Sequence, residues 1–359
     1  MVWDIVEPFD NFTARDWQGP TDGGPVRIAV VGLGRFASRR ALPAIQEADL
    51  CEATVAVDLS ADDARPVADK FDVERGLGSD DFQQGTASDA YDAVYVATPN
   101  TFHYRYVKTA ASLGKHVLCE KPLDVTTERA RELVDACADA GVTLMTGYRM
   151  QIEPIVRRMR ALIDDGLIGE PIQLSGKFSN RPPIGGGALQ WRTDPEIAGG
   201  GALMDLGIYP LNTIRFLLGE DPVAVYGSTA THSPAFEDVD EHVSFELRFP
   251  GNVIASCTAS LNAYPSSHIE VIGTDGEVRV TSAFGGLTPK RISADRKEIQ
   301  SEYTGPIADE VVEEFDYFAH CILTDSRPEP DGRDGLADLV AIEGIYESAE
   351  SGRRITLEY

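Results

Sequence analysis

The chain has 359 residues, 43% hydrophobic and 25% charged, a composition typical of a soluble globular protein with room for two domains. Its formal net charge of −26 argues against nucleic acid and anionic membranes as partners, because both would be repelled. No apolar run approaches the length of a membrane span, and the acidic N-terminus lacks the pattern of a signal peptide.

The charge is distributed unevenly between residue types. The basic residues comprise 7 lysines and 25 arginines, against 58 acidic residues. Concentrated salt screens the self-repulsion of such an acidic surface, so the composition favours a halophilic source. The alternative is an acidic enzyme of a mesophile.

The cysteines and histidines show no metal-ligand spacing. No His-Glu-x-x-His or similar cluster occurs among the six histidines. We therefore expect a cytoplasmic protein with reduced, buried thiols and no metal site. The five scattered cysteines are Cys51, Cys119, Cys137, Cys257 and Cys321.

In chain order, the sequence divides into three parts. Residues 1–25 are polar with interspersed aromatic side chains and are predicted to form an N-terminal arm. Residues 26–147 alternate strand-like and helix-like segments, which predicts a Rossmann domain with a doubly wound parallel sheet. Residues 148–359 change in texture and are predicted to form an α+β domain with an open, mostly antiparallel sheet. The fold class expected is α/β.

The first predicted strand, 26–31, runs directly into a glycine-rich turn. In this turn Gly32 permits the tight bend, Gly34 lets a pyrophosphate approach the backbone, and the small Ala37 allows close helix–strand packing. Asp58 ends the next apolar run, where an acid can bind a ribose hydroxyl. The alternative is an ordinary strand–helix turn, but this context favours a dinucleotide site.

The remaining predicted strands of this domain bring polar groups to the same edge. Thr98-Pro99-Asn100 follows the strand at 93–97, and Glu120-Lys121-Pro122 follows the strand at 116–119. Ligands of doubly wound sheets lie at the carboxyl ends of the strands. A lysine there can hold a substrate oxygen, although a surface Lys–Glu turn is the alternative.

The second domain is predicted to begin with a helix (153–165) and a strand (171–179), followed by a Gly/Pro-rich loop (180–201) and a helical run ending at Leu218. Five antiparallel strands are expected over 223–230, 242–249, 253–259, 268–273 and 277–282, and two helices, at about 308–324 and 335–351, close the chain.

Asp205 and Tyr209 follow the glycine run Gly199-Gly200-Gly201, which permits close backbone approach to a ligand. Their spacing places them on one face of a helix, with Pro210 in its first turn. A tyrosine becomes an effective base when a nearby ammonium group favours its phenolate. The alternative is a buried tyrosine whose hydroxyl binds a carbonyl.

With these pieces assembled, the chain resembles the glucose–fructose oxidoreductase, inositol dehydrogenase and rhizopine catabolism protein (Gfo/Idh/MocA) family. The tyrosine at position 209 is typical of the glucose–fructose oxidoreductase branch and its aldose 1-dehydrogenase relatives. The motifs that carry the resemblance, which extends over about 26–357, are the turn at 32–37, Ala97-Thr98-Pro99-Asn100 with His103, Glu120-Lys121-Pro122, Gly147-Tyr148-Arg149, Gln190-Trp191-Arg192 and the segment from Gly199 to Tyr209.

The resemblance implies catalytic roles for Lys121 and Tyr209, with Asp205 orienting the sugar. Tyr209, as a phenolate or sharing a proton with Lys121, would take the proton of the C1 hydroxyl while hydride passes to the cofactor and a lactone leaves. The implied cofactor-binding residues are Gly32, Gly34, Arg35, Phe36, Ala37, Asp58, Ser60, Thr98, Asn100, His103, Glu120, Lys121, Arg149, Trp191 and Arg192.

The choice of cofactor rests on conflicting signals. Asp58 would repel a 2′-phosphate and therefore favours NAD. The relatives that the resemblance points to favour NADP, and Ser60, Arg35, Arg39 and Arg65 are close enough in sequence to provide a phosphate site. We expect NADP, with NAD as the alternative.

Taken with the acidity, the resemblance implies a haloarchaeal aldose 1-dehydrogenase, with D-xylose as the expected substrate. The alternatives are an oxidoreductase with a tightly held cofactor, a polyol or dihydrodiol dehydrogenase, and a non-catalytic NAD(P)-binding sensor. The open sheet of this family usually pairs face to face, so a homodimer or homotetramer is expected. We expect alternating apolar residues in 242–259 to supply that face, unless the chain's own helices cover it.

Overall fold

The computed structural model describes Trp17, Gly19, 21–182, 191–297, 299–305 and 308–359. Most of the predicted arm and Gln190 lie outside the described residues. The chain forms two compact units. The first contains the described residues through Arg149 together with Val311–Leu339, and the second contains Met150–Glu310 and Val340–Tyr359.

In the described part of the first unit, six strands form one parallel sheet in the order β3-β2-β1-β4-β5-β6. The order reverses at β1, which pairs with β2 on one side and β4 on the other, so Gly32 lies at the switch point where such sheets bind ligands. This confirms the predicted Rossmann fold. The strands are β1 (Val26–Val31), β2 (Cys51–Asp58), β3 (Arg75–Gly78), β4 (Ala93–Val96), β5 (His116–Cys119) and β6 (Leu144–Thr146).

The helices of this unit begin and end at recognisable local signals. Ser60 and Thr126 accept hydrogen bonds from backbone N–H groups three residues later and cap two of them, and Gly141 in the left-handed region ends the second. After a π-helical turn at Ala37–Ala41, the helices are α1 (Leu42–Glu47), α2 (Ala61–Lys70), α3 (Ser79–Gln83), α4 (His103–Ser112) and α5 (Thr127–Ala140); α6 (Arg149–Ile152) begins at the last residue of this segment.

A late segment of the chain, 311–339, completes the core of the first unit. Phe315 of helix α10 (Glu310–Leu323) packs edge-on against Tyr95 of β4, with ring centroids 5.0 Å apart. Trp17 is buried against the same helix, where its Nε1 donates to Glu313 Oε2 at 3.0 Å and its ring lies 5.1 Å from that of Tyr317. The sequence offers no local signal for this association, because the contacting residues are about 220 to 300 positions apart.

The described part of the second unit is built on a nine-stranded sheet in the order β14-β13-β12-β11-β7-β10-β9-β8-β15. All neighbours are antiparallel except β7 and β10. This confirms the predicted mostly antiparallel sheet and adds three strands, β13 to β15, that the sequence did not reveal. The strands are β7 (Pro171–Ser179), β8 (Ala224–Ala230), β9 (His242–Arg248), β10 (Ile254–Ser260), β11 (Ser266–Gly273), β12 (Gly276–Thr281), β13 (Arg291–Arg296), β14 (Ile299–Thr304) and β15 (Ile355–Thr356).

One face of this sheet packs on helices of its own unit, and the other carries polar side chains. The alternating apolar residues of β9, Val243, Phe245 and Leu247, are buried within the chain. They therefore do not supply an exposed apolar face, and that argument for an oligomer is wrong.

The remaining helices are α7 (Pro154–Asp164), α8 (Pro195–Ala198), α9 (Ile208–Leu218) and α11 (Gly332–Ser351).

None of the described helices combines the length and hydropathy needed to cross a bilayer.

The acidic surface predicts a salt-dependent fold. Helix α2 exposes Asp62, Asp63 and Asp69 on a single short helix. Because screening shortens the range of their repulsion to ~3 Å at 1 M salt, we expect the melting temperature to rise by about 10 °C or more, roughly 3 kcal/mol, between low and multimolar KCl. Calorimetry in KCl, a weak salting-out agent, checks this, and an unchanged melting temperature would contradict it.

Candidate active site

The turn after β1 requires glycine at position 32. Gly32 has φ +87°, and a Cβ there would lie 2.8–2.9 Å from Thr98 Cγ2, Ala97 O and Thr98 N. Its N–H donates to Val57 O at 2.9 Å, which ties the turn to the neighbouring strand. Both backbone conformation and space therefore exclude a side chain, as the sequence pattern predicted.

The second glycine faces open space. A Cβ on Gly34 would meet no atom within 4 Å, while Ala37 behind it is 1% exposed. The helix begins with the π-helical turn at Ala37, and its N-cap residue, Phe36, makes no side-chain cap hydrogen bond. Uncapped N–H groups at a helix start, with clear space before them, fit the pyrophosphate of a dinucleotide.

Asp58 and Ser60, the residues expected around the adenosine ribose, each form hydrogen bonds within the chain. Asp58 Oδ1 accepts from the N–H of Leu59 at 2.8 Å, which fixes the carboxylate at the end of β2. The Ser60 hydroxyl caps α2, accepting from Asp63 N at 3.2 Å and donating to Asp63 Oδ2 at 2.6 Å. The Ser60 hydroxyl is thus occupied as a helix cap, and the three arginines expected near a 2′-phosphate, Arg35, Arg39 and Arg65, are exposed.

His103 connects two loops at the carboxyl edge of the first sheet. Its ring is fully buried, with Nδ1 3.0 Å from Pro122 O and Nε2 2.9 Å from Thr98 O. Burial lowers the pKa of His103 to about 4, so at pH 7 the neutral imidazole carries one N–H, donates it to one of the two carbonyls and packs against the other. The ring holds the loops of Thr98 and Pro122 together, and presents neither nitrogen to a ligand. Thr98 Oγ1, by contrast, is buried with no hydrogen-bond partner in the described chain, a group available to a bound cofactor.

The Glu120-Lys121-Pro122 segment is anchored through its first residue. Tyr95, buried in β4, donates its hydroxyl to Glu120 Oε1 at 2.7 Å. Burial raises the pKa of Glu120, and the hydrogen bond from Tyr95 and the charges of Lys121 and Arg149 act in the opposite direction. The Lys121–Pro122 peptide bond is cis. The first unit therefore brings Lys121 and Arg149 to one carboxylate at the ligand edge.

In the second unit, Asp205 is held by an ion pair. Arg192 Nε lies 3.1 Å from Asp205 Oδ2, and both side chains are half-buried. The guanidinium of Arg192 also lies 4.3 Å from the ring centre of its neighbour Trp191. The predicted residues Trp191, Arg192 and Asp205 thus form one cluster.

Tyr209 lies at the second position of α9, half-buried beside two aromatic rings. Its ring meets Phe178 edge-on at 5.2 Å and Phe284 at 5.8 Å. Asp205 precedes it in a π-helical turn, Leu203–Gly207, and Pro210 falls in the first turn of α9 as predicted. Proline lacks the N–H of a regular helix, and the wider turn before it accommodates this.

The glycine run serves a different purpose from the predicted one. A Cβ on Gly201 would lie 2.1 Å from Asp240 O, and one on Gly200 would lie 2.2 Å from the Tyr346 hydroxyl. Close approach at these two positions is therefore to the protein itself and not to a ligand.

Asp240 organises the turn that carries Asp205. Its buried carboxylate accepts from Gly201 N at 2.7 Å, Leu203 N at 2.8 Å and the Tyr346 hydroxyl at 2.7 Å. Burial raises its pKa, against the hydrogen bonds that favour the ionised form. Sequence reasoning missed Asp240, because nothing near it in the chain indicates contact with residues about 40 and 100 positions away.

Comparison with known proteins shows which family models match this chain. The family model described as the oxidoreductase family, NAD-binding Rossmann fold, matches residues 26–148, and the GFO/IDH/MocA C-terminal domain model matches 156–279.

Three relatives resemble the chain over most of its length. D-xylose 1-dehydrogenase [NADP(+)] of Haloarcula marismortui is 47% identical over 97% of this chain and 98% of its own. D-xylose 1-dehydrogenase (NADP(+)) 2 of Haloferax volcanii is 31% identical over 92% of this chain and 99% of its own. The crystal structure of aldose-aldose oxidoreductase from Caulobacter crescentus, complexed with glycerol, superposes with a TM-score of 0.87 at 30% identity, over 93% of this chain and all of that one.

Proposed function

The chain belongs to the GFO/IDH/MocA family of oxidoreductases, and we propose that it is an NADP-dependent aldose 1-dehydrogenase acting on D-xylose. The observation that carries the proposal is the 47% identity, over nearly the whole chain, to a haloarchaeal D-xylose 1-dehydrogenase. The net charge of −26 agrees with a salt-rich cytosol.

The arrangement around Gly34 supports a dinucleotide cofactor. The uncapped helix start and the space above Gly34 suit the pyrophosphate, and Thr98 Oγ1 offers a buried hydroxyl further along the same edge. A bound nicotinamide would supply the hydride acceptor that sugar oxidation requires.

Oxidation at C1 removes a hydride from carbon and a proton from the C1 hydroxyl, leaving a C=O bond and hence a lactone. We assign the proton to Tyr209, which takes it as general base. Lys121 stabilises the C1 oxygen as negative charge develops there. Asp205, paired with Arg192 at 3.1 Å, accepts hydrogen bonds from the ring hydroxyls.

Arg39 is the residue we expect to distinguish the two cofactors. It is exposed on the first helix after the turn, where its guanidinium can pair with a 2′-phosphate, and NAD lacks that group. Arg39→Ala should raise KM for NADP by about tenfold, roughly 1.4 kcal/mol of lost ion pairing, and leave KM for NAD unchanged. Arg131→Ala, on the exposed surface of α5, is the matched control. Equal changes for NADP and NAD would contradict the assignment.

The test of the proposed function is an initial-rate assay of reduced nicotinamide formation in multimolar KCl. It crosses NAD and NADP with xylose, arabinose, ribose, glucose and a cyclic polyol, and identifies the product as lactone by its hydrolysis to an acid. Turnover that is fastest with D-xylose and NADP supports the proposal. Turnover with the polyol alone would replace it with polyol dehydrogenation, and cofactor binding without any turnover would indicate a sensor.

The likeness to an aldose-aldose oxidoreductase favours one second candidate. In this candidate function, the chain would oxidise one sugar and reduce another on a cofactor that stays bound. The chain purified without added nucleotide would then contain stoichiometric cofactor, released only on denaturation. An empty protein with steady-state turnover of added NADP would exclude this candidate.

A further inference from the structure

Two histidines and a glutamate come together where β8 connects to β9. His232 follows the end of β8, and Glu241 and His242 stand at the start of β9. One ligand atom of each residue lies within 4.8 Å of those of the other two. In the described part of the chain, these three residues are the His, Cys, Asp and Glu side chains that lie close enough together to hold a metal ion.

The carboxylate of Glu241 is buried and prepared for a cation. Its Oε2 accepts from the N–H groups of His232 at 2.6 Å and Ser233 at 2.8 Å, and its Oε1 accepts from Asn262 Nδ2 at 2.5 Å. Burial opposes ionisation, but the hydrogen bonds from Ser233, His232 and Asn262 outweigh it and lower the pKa of Glu241. The glutamate is therefore ionised at neutral pH.

His242 is oriented by its other ring nitrogen. Nδ1 lies 2.8 Å from Ser260 Oγ, while Nε2 faces Glu241 Oε1 at 3.7 Å. The ring of His232 lies 5.2 Å from that of His242, inclined by 60°. A hydrogen bond on one imidazole nitrogen that leaves the other for an ion is the usual arrangement of a metal-ligating histidine.

The cluster is open to solvent on one side, because His232 is exposed and His242 is half-buried. An ion can reach it without unfolding, and a water molecule can complete its coordination. Around a tetrahedral ion with ligands ~2.0–2.2 Å away, neighbouring donor atoms are about 3.3 Å apart. The separation of 3.7 Å between His242 Nε2 and Glu241 Oε1 needs to close only slightly.

We propose that His232, Glu241 and His242 bind one divalent transition-metal ion, with Zn²⁺ as the preferred ion and water as a fourth ligand. Two imidazoles and a carboxylate are a donor set typical of zinc, whereas calcium and magnesium require mainly oxygen ligands. The sequence predicted no metal, because these ligands are brought together by the β8–β9 connection and form no local motif.

The site has a structural consequence within its own unit. Asp240, which holds the turn bearing Asp205, is the residue immediately before Glu241. An ion that joins Glu241 and His242 to His232 therefore restrains the segment that carries Asp240. The proposal rests on this geometry and does not depend on the substrate of the enzyme.

The test is titration of the full chain, purified without a histidine tag and freed of metal by chelation, with Zn²⁺ by calorimetry in KCl. One ion should bind per chain with a dissociation constant in the micromolar range or below, and the melting temperature should rise with Zn²⁺. Co²⁺ in place of Zn²⁺ should give the visible absorption of a four-coordinate site. His232→Ala and His242→Gln should each weaken binding by at least about tenfold.

The matched control is His268→Ala, which removes another half-buried histidine of the same sheet. It should bind Zn²⁺ like the unmodified chain. Because His232 is exposed, its alanine variant should keep the metal-free melting temperature, so lost binding there cannot be ascribed to misfolding. Absence of stoichiometric binding, or binding that survives both substitutions in the cluster, would overturn the proposal.

Discussion

Replacing Tyr209 with phenylalanine is expected to lower kcat for aldose oxidation by roughly 10²–10⁴-fold, the usual contribution of a general base. The substitution removes one hydroxyl and keeps the ring that packs between Phe178 and Phe284. The fold and the affinity for NADP should therefore be unchanged. Fixed-time assays sampled over days measure the low kcat of the variant. Cofactor titration followed by fluorescence measures its affinity for NADP.

Tyr264→Phe is the matched control, because this tyrosine is 86% exposed and lies outside the proposed site. It should leave kcat within about twofold, since surface substitutions rarely perturb a protein measurably. Unchanged turnover in Tyr209→Phe would remove Tyr209 from the role of base. A loss of cofactor affinity equal to the loss of kcat would instead indicate a binding role.

The second large effect is expected at Asp240. Asp240→Ala leaves the N–H groups of Gly201 and Leu203 and the hydroxyl of Tyr346 without their buried acceptor. Each unsatisfied buried donor costs about 1–3 kcal/mol, so the loss of the acceptor of three donors should lower the free energy of unfolding by roughly 3–9 kcal/mol. Denaturant unfolding in multimolar KCl measures this loss.

The Asp240 series separates positioning from stability. Asp240→Asn retains one acceptor oxygen, so the turn that bears Asp205 should lose only part of its restraint. The stability and kcat of this variant should therefore lie between those of the unmodified chain and of Asp240→Ala. Tyr346→Phe removes only one of the three donors to the Asp240 carboxylate and should cost less, about 0.5–1.5 kcal/mol for that hydrogen bond. Asp238→Asn, at a neighbouring exposed position, is the control. An alanine variant as stable and active as the unmodified chain would refute the positioning role.

The nucleotide turn could be predicted because its determinants are local. Gly32, Gly34 and Ala37 act within six consecutive residues that follow a buried strand, so the bend, the open space and the close packing are all encoded side by side. The caps at Ser60 and Thr126 are equally local. Period-two and helical patterns likewise gave most elements of both sheets to within one or two residues.

Elements whose stability comes from neighbours were harder to predict. Strand β14 exposes or half-exposes every side chain, so no alternating apolar pattern announces it, and it forms by pairing with β13. The two-residue strand β15 exists only through its bonds to β8. Backbone pairing across a sheet does not require a local signal in either partner.

The sequence by itself determined that this chain is an acidic oxidoreductase with a dinucleotide turn, and it proposed Lys121, Asp205 and Tyr209 as the catalytic residues, because these signals lie in short motifs of fixed spacing. Only the tertiary structure decided that Asp240 holds the glycine run, that His103 is a buried clamp, and that His232, Glu241 and His242 meet. Those arrangements depend on buried hydrogen bonds between distant residues, whose strength comes from exclusion of water that no local pattern records.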